Sequence, residues 1–216
     1  MKTIEHFVDG KSFSGESKRI GKIFNPATGE QSASVKLATT KDVNEAVLSA
    51  KKAFQNWSNK PPLQRARIMF KFKELIEKNS DELTKIIVSE HGKVYEDARG
   101  SLTRGLEVVE YACGIPQMLK GEFTENVGSN VDSWSIRQPL GVCAGVTPFN
   151  FPAMVPMWMF PMAIACGNTF VLKPSEKDPS CSLRLAELLC EAGLPEGVLN
   201  VVNGDKEAVD ALINNN

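Results

Sequence analysis

The sequence predicts an α/β fold: part of a doubly wound parallel sheet, preceded by a β-hairpin arm and a series of helices. Three observations carry this reading. From Gly141 onward, short apolar runs alternate with helical patterns in the order β-α-β-α-β-α, and that alternation specifies right-handed crossovers and parallel strand pairing. Residues 1–38 read as short strands separated by turn residues. Between the two stretches, apolar residues recur at helical spacing.

The amino-terminal elements come first. Residues 7–13 carry Asp9-Gly10, a hairpin turn signal, between short apolar flanks. Residues 23–30 form a strand end running into a Pro/Gly turn, and residues 32–37 alternate polar and apolar as a half-buried strand would. Thr40 is the expected N-cap of the first helix, where Val43, Ala46, Val47, Ala50, Phe54 and Trp57 keep helical spacing. Pro62 suits the first turn of a second helix. Ser80 is the expected cap of a third, and a fourth starts near Val94. Residues 131–137 alternate again and predict a strand with one buried face.

Residues 142–146 then form a short apolar run, as in a buried parallel strand that includes Cys143. An apolar helix over 152–165, a strand over 168–172, a helix over 180–191 ended at Gly193, a strand over 198–202 and a helix from Glu207 complete the pattern. The organisation expected is a 1–140 region of β-arm and helices, then a 141–216 region holding the first half of a nucleotide-binding sheet. Three strands make half of such a sheet, and the last helix barely begins before the run Asn214-Asn215-Asn216. The expectation is therefore an incomplete polypeptide.

Composition narrows the function. The chain has 216 residues, 42% hydrophobic and 24% charged, the balance of an ordinary globular protein. A net charge of -1 argues against nucleic acid or an anionic membrane as a partner. Five cysteines without a C-x-x-C pair fit reduced thiols in a cytoplasmic setting. No targeting peptide is visible, although a mitochondrial matrix location stays open. Two histidines far apart in sequence, His6 and His91, argue against a metal site. The stretch 138–172 has no charged residue, but five prolines and two asparagines break it, so a strand–helix–strand unit is expected rather than a membrane span.

In a parallel α/β sheet, ligands sit beyond the carboxyl ends of the strands. Two such ends carry unusual residues: 147–152, including Thr147, Phe149 and Asn150, and 173–177, including Lys173, Glu176 and Lys177. The fingerprint G-x-G-x-x-G is absent, so a bound nucleotide has to be held without a glycine-rich phosphate loop. Glu176 can accept from vicinal ribose hydroxyls and Lys173 can donate to them, and a carboxylate there disfavours a 2′-phosphate. The same pair also reads as a surface ion pair of little energetic value. Asn150 can donate to a developing oxyanion or simply stabilise a turn. Thr147 and Phe149 can line a groove or pack the turn. Arg104, inside a mostly apolar helix, can grip a carboxylate or serve as a structural ion pair. No cysteine has a nearby His to help it, so none reads as an activated nucleophile.

The string VTPFNFPAMVPMWMFPMAIACGNTFVLKPSE from Val146 to Glu176 resembles the aldehyde dehydrogenase superfamily, most specifically at 148–152, 167–169 and 172–176. Phe149, where most of that superfamily has Trp, and the Met/Pro/Trp-rich helix after it resemble the CoA-acylating methylmalonate-semialdehyde branch. Similarity runs over nearly the whole chain, including residues 24–29 and 192–202. The resemblance implies an aldehyde-dehydrogenase-like fold, NAD as cofactor, coenzyme A as cosubstrate, a small aldehyde as substrate and a homo-oligomeric parent. It implies that Thr147 and Phe149 line the nicotinamide side of the groove and that Asn150 helps form the oxyanion hole. Lys173 and Glu176 would hold the adenosine ribose with Lys177 beside them, and Arg104 would bind the substrate carboxylate. It also implies that the catalytic cysteine lies downstream of Asn216, so the chain is expected to be inactive alone. A branch using water in place of CoA, or a non-catalytic nucleotide-binding module, are the competing expectations.

Overall fold

The structure, a computed structural model, describes residues 2–215; Met1 and Asn216, the outer ends of the amino-terminal stretch and of the asparagine run, lie outside the described residues. The amino-terminal region holds β1 (Lys2–Ile4), β2 (His6–Val8), β3 (Lys11–Phe13), β4 (Ile20–Phe24) and β5 (Gln31–Lys36). The β2–β3 turn is Asp9-Gly10, with both residues left-handed at φ 55° and 74°, as a two-residue hairpin loop with type I′ geometry requires. β4 and β5 pair antiparallel, and β1 joins β5 in parallel, making a small sheet around Ile4, Ile23, Ala33 and Val35.

The helices are α1 (Thr40–Trp57), α2 (Pro62–Lys78), α3 (Ser80–His91), α4 (Tyr95–Cys113) and the single turn α5 (Ile115–Met118). Two expected caps shift by one residue. The N-cap of α1 is Thr39 rather than Thr40: its hydroxyl accepts from the Asp42 N–H while the Asp42 carboxylate accepts from the Thr39 N–H. That reciprocal pair needs an acidic residue three positions on, which Thr40 does not have. Asn79, not Ser80, occupies the capping position of α3, and its side chain makes no capping bond.

Next come β6 (Phe123–Gly128) and β7 (Val131–Trp134), an isolated antiparallel hairpin. Here the expected buried face is wrong, because every residue of β7 is exposed. Alternation reports two faces, but burial needs a second layer, and none of the described residues supplies one.

The rest is β8 (Val142–Val146), α6 (Met154–Ala165), β9 (Thr169–Lys173), α7 (Ser180–Glu191), β10 (Leu199–Val201) and α8 (Lys206–Ile213). β8, β9 and β10 are parallel neighbours, as expected, although Cys143 on the edge strand β8 is half-buried rather than buried. The sheet is larger than its three parallel strands: β2 pairs antiparallel with β10, giving the order β3-β2-β10-β9-β8. The hairpin thus joins the sheet instead of standing off as an arm. Two polar links fix it there: the Asp9 N–H donates to Asn200 Oδ1 at 3.0 Å, and the Asn203 N–H donates to His6 Nδ1 at 3.0 Å.

Both faces of this sheet are covered, as its alternating side chains demand. Phe170 and Leu172 of β9 face a large core shared with α2, α4, α6 and α7, whereas Val171 faces the other way onto α1 and α8. Trp57, at the end of α1, is fully buried and donates from its indole to the Ile164 carbonyl at 3.0 Å. Among the described residues, no helix is long and apolar enough to cross a membrane. The uncharged run 138–172 is accounted for by β8, α6 and β9.

Candidate functional site

Three parallel strands end on the same side, and their carboxyl ends are tied together. The Thr147 N–H, after β8, donates to the Lys173 carbonyl at the end of β9, 3.1 Å away. The Lys173 side chain crosses in turn to the end of β10, where its ammonium donates to the Gly204 carbonyl at 2.7 Å. Gly204 has to be glycine for this close packing, since a Cβ would lie 2.5 Å from the Ala208 Cβ.

Lys173 is only 4% exposed, and its ammonium lies 3.5 Å from Glu176 Oε2, whose side chain is 38% exposed. The pair is not the exposed surface bridge that spacing alone allows. Burial lowers the Lys173 pKa, with Glu176 opposing. A buried cation beside a more accessible carboxylate, at a strand end, is a donor–acceptor arrangement that suits a diol. Thr147 is buried nearby in the fold, and its hydroxyl has no partner.

The two turns meet at Phe149. Its ring is 51% exposed, the Lys177 ammonium lies 4.9 Å from its centroid, and the His91 ring stacks against it at 6.1 Å with 23° between planes. These residues line a cleft of about 380 Å³ together with Phe24, Glu90 and Asp178. Asn150 follows on the same turn and is exposed. Of the expected site residues only Phe149 and Lys177 line this cleft; Thr147, Asn150, Lys173, Glu176 and Arg104 do not. Arg104 sits exposed on α4, next to Gly105, where a Cβ would lie 3.1 Å from the Met154 Cα and 2.4 Å from the Met157 Cε. That close α4–α6 crossing, with the Trp158 indole donating to the Arg104 carbonyl at 3.3 Å, fixes the backbone of Arg104. Its charge is felt by Lys93, whose pKa is lowered first by burial and then by Arg104. The Lys93 ammonium lies over Phe151, 3.8 Å from the ring centroid.

Sequence reasoning missed three cleft residues. Asp178 is 2% exposed, and burial pushes its carboxyl up to about 7. The Ser175 hydroxyl acts in the opposite direction, although neither buried carboxylate oxygen has a hydrogen-bond partner. Glu90 is also raised by burial, though it accepts from the Ser180 N–H at 3.1 Å and hydroxyl at 2.6 Å, at the start of α7. His91 stands out in the sequence only as a potential metal ligand. Among the described residues no group of three or more His, Cys, Asp or Glu side chains could hold a metal. Burial raises all five thiols, Cys113 and Cys190 to about 11, so none of them is a ready thiolate.

The family model described as "Aldehyde dehydrogenase family" matches residues 13–216. This chain belongs to the aldehyde dehydrogenase family. Within that family it is similar to a malonate-semialdehyde dehydrogenase of Pseudomonas aeruginosa, 56% identical over 99% of this chain and 43% of the relative. It is also similar to the mitochondrial, acylating methylmalonate-semialdehyde dehydrogenase of Arabidopsis thaliana, 51% identical over 97% of this chain and 34% of that one. A solved structure from Sinorhizobium meliloti, provisionally assigned as a methylmalonate-semialdehyde dehydrogenase and complexed with NAD, superposes with a TM-score of 0.97 at 56% identity. It covers 99% of this chain and 43% of the other. This aldehyde dehydrogenase chain therefore spans less than half the length of the relatives it matches.

Proposed function

We propose that this chain supplies the NAD site, the oxyanion donor and a substrate-carboxylate contact of a CoA-acylating semialdehyde dehydrogenase. The overall reaction is oxidative decarboxylation of methylmalonate or malonate semialdehyde to propionyl-CoA or acetyl-CoA. The observation that carries the proposal is the convergence of the two strand-end turns: Lys177, on the Glu176 turn, rests against Phe149, on the Asn150 turn.

The residues present fit a dinucleotide. Lys173, held by Gly204 and Glu176, can donate to one ribose hydroxyl while Glu176 accepts from both. The carboxylate disfavours a 2′-phosphate, which selects NAD over NADP. Thr147 and Phe149 line the nicotinamide end, and Lys177 lies beside the ribose contacts. When bound, NAD supplies the hydride acceptor for the aldehyde carbon. Asn150 donates its amide N–H to the oxygen that turns into an oxyanion as a thiolate adds to that carbon. Arg104 engages the substrate carboxylate. None of the five thiols here is suited to be that nucleophile, so we assign the thiolate to polypeptide beyond this chain. We divide the chain at about residue 140, with the nucleotide site in 141–216 and part of the oligomerisation surface before it; the complete parent acts as a homo-oligomer.

The acylating character of the Arabidopsis relative favours CoA over water as the acyl acceptor. Assaying the complete parent with NAD and methylmalonate semialdehyde tests this. Strict dependence on CoA and formation of propionyl-CoA are expected, whereas release of a free acid without CoA would assign a hydrolytic branch instead.

A further inference from the structure

We infer that His91 is a positioning residue for Phe149: its ring, stacked on Phe149, fixes the orientation in which Phe149 meets the bound dinucleotide. This rests on the NAD reading above and deepens it. Phe149 is half exposed on a turn, and a ring placed so has several orientations open to it unless something holds it. His91 lies near-parallel to it and offset, at 6.1 Å between centroids and 23° between planes, within the range of favourable aromatic pairs. The Lys177 ammonium, 4.9 Å from the same ring, is the other restraint.

His91 is itself well placed to be rigid. It is the last residue of α3, and the chain reverses at Gly92, where φ is 82°. A Cβ on Gly92 would lie 3.0 Å from the Pro26 Cβ, so the end of α3 is packed directly on the turn after β4. His91 Nδ1 is buried and has no hydrogen-bond partner, so the ring meets Phe149 through its face and not through a bond at that nitrogen. The charged groups around it are Lys93 beside it in sequence and Lys22, Glu90, Lys177 and Asp178 in the cleft. Burial and the Lys93 charge lower the imidazole pKa, so the ring is neutral near pH 7 and adds no further cation to Lys22, Lys93 and Lys177. Sequence spacing gave no hint of this contact, because His91 and Phe149 meet only through tertiary packing.

The test is an NAD titration by calorimetry of the complete parent enzyme, wild type, His91→Ala and His91→Phe, with near-ultraviolet circular dichroism to confirm native packing. Removing the aromatic face is expected to weaken NAD about fivefold, and the phenyl ring is expected to restore binding to within about twofold. If His91→Ala loses native packing, His91→Leu, which fills the space without an aromatic face, replaces it with the same expected loss. Unchanged affinity in the non-aromatic variant would overturn the inference while leaving the cofactor reading intact, as would a phenyl variant that binds as weakly as alanine. A wild-type chain that binds no NAD would overturn both.

Discussion

The Lys177 ammonium lies 4.9 Å from the centroid of the Phe149 ring, although the two residues stand on turns that leave different strands. A parallel α/β sheet makes such meetings ordinary at the carboxyl ends of adjacent strands. What is particular here is that the turns are also locked through the backbone, by Thr147 N–H to Lys173 C=O, and through the buried Lys173 side chain to Gly204.

The proposed ribose site makes Glu176 the residue that sets the cofactor preference. Replacing it by glutamine removes the charge that opposes a 2′-phosphate while keeping a hydrogen-bonding group. The NAD-to-NADP affinity ratio of Glu176→Gln is expected to fall about tenfold, roughly 1.4 kcal/mol. Paired calorimetric titrations measure it, and an unaltered ratio would remove Glu176 from the ribose site.

Asp178 makes neutral pH unfavourable for the fold. Its carboxyl is pushed up from 3.8 to about 7 by burial. Because the folded value lies above the unfolded one, the folded state holds the extra proton. The favourable contribution is therefore complete only below the unfolded value and is lost as pH rises through about 7. Asp178→Asn is expected to stabilise the chain by about 2–4 kcal/mol near pH 8 and to match wild type near pH 4. Urea unfolding at the two pH values checks this.

His6 acts in the opposite direction. Burial lowers its pKa from 6.5 to about 4, so the unfolded chain binds a proton that the folded chain refuses. Stability falls as pH drops from about 6.5 to about 4, by as much as about 3 kcal/mol. His6→Asn, which keeps an acceptor for the Asn203 N–H without titrating, is expected to lose that part of the acid slope. An equally steep slope in the variant would contradict it.

These two groups show where sequence reading stops. The helices and the β8–α6–β9–α7–β10 unit were legible because one-sided apolar stripes and short apolar runs encode burial locally. The positions of the Phe149 and Glu176 turns, after β8 and β9, were legible because the short apolar runs mark where those strands stop. Long-range contacts were not. His6 and Asn203 lie 197 residues apart, so nothing near Phe7 indicates that its hairpin joins β10. The three-residue β1 carries too little pattern to announce a parallel partner. Alternation in β7 suggested a buried face, yet nothing among the described residues covers it. Asp178 and His91 became candidates only once burial and stacking were visible.

The exposed hairpin and the sheet edge should make the isolated chain associate. Phe123, Trp134 and Ile136 are each more than half exposed, and β8 pairs on one side only among the described residues. Unprotected edges and apolar patches of this kind promote self-association. Light scattering after gel filtration is expected to show species larger than a monomer, diminished by Trp134→Lys. A monodisperse monomer would contradict this.

Chemistry by this chain alone is not expected. With every thiol raised by burial, methylmalonate semialdehyde and NAD should yield no NADH above background in a spectrophotometric assay of the purified polypeptide. Measurable turnover would mean that one of the five cysteines is activated after all.

The convergence of the two turns on one ligand is tested most directly by a crystal structure of the chain grown with NAD. The expected result is a single dinucleotide touching both Phe149 and Glu176, with its ribose hydroxyls on Glu176 and Lys173. A dinucleotide bound elsewhere, or one that contacts only one of the two turns, would contradict it.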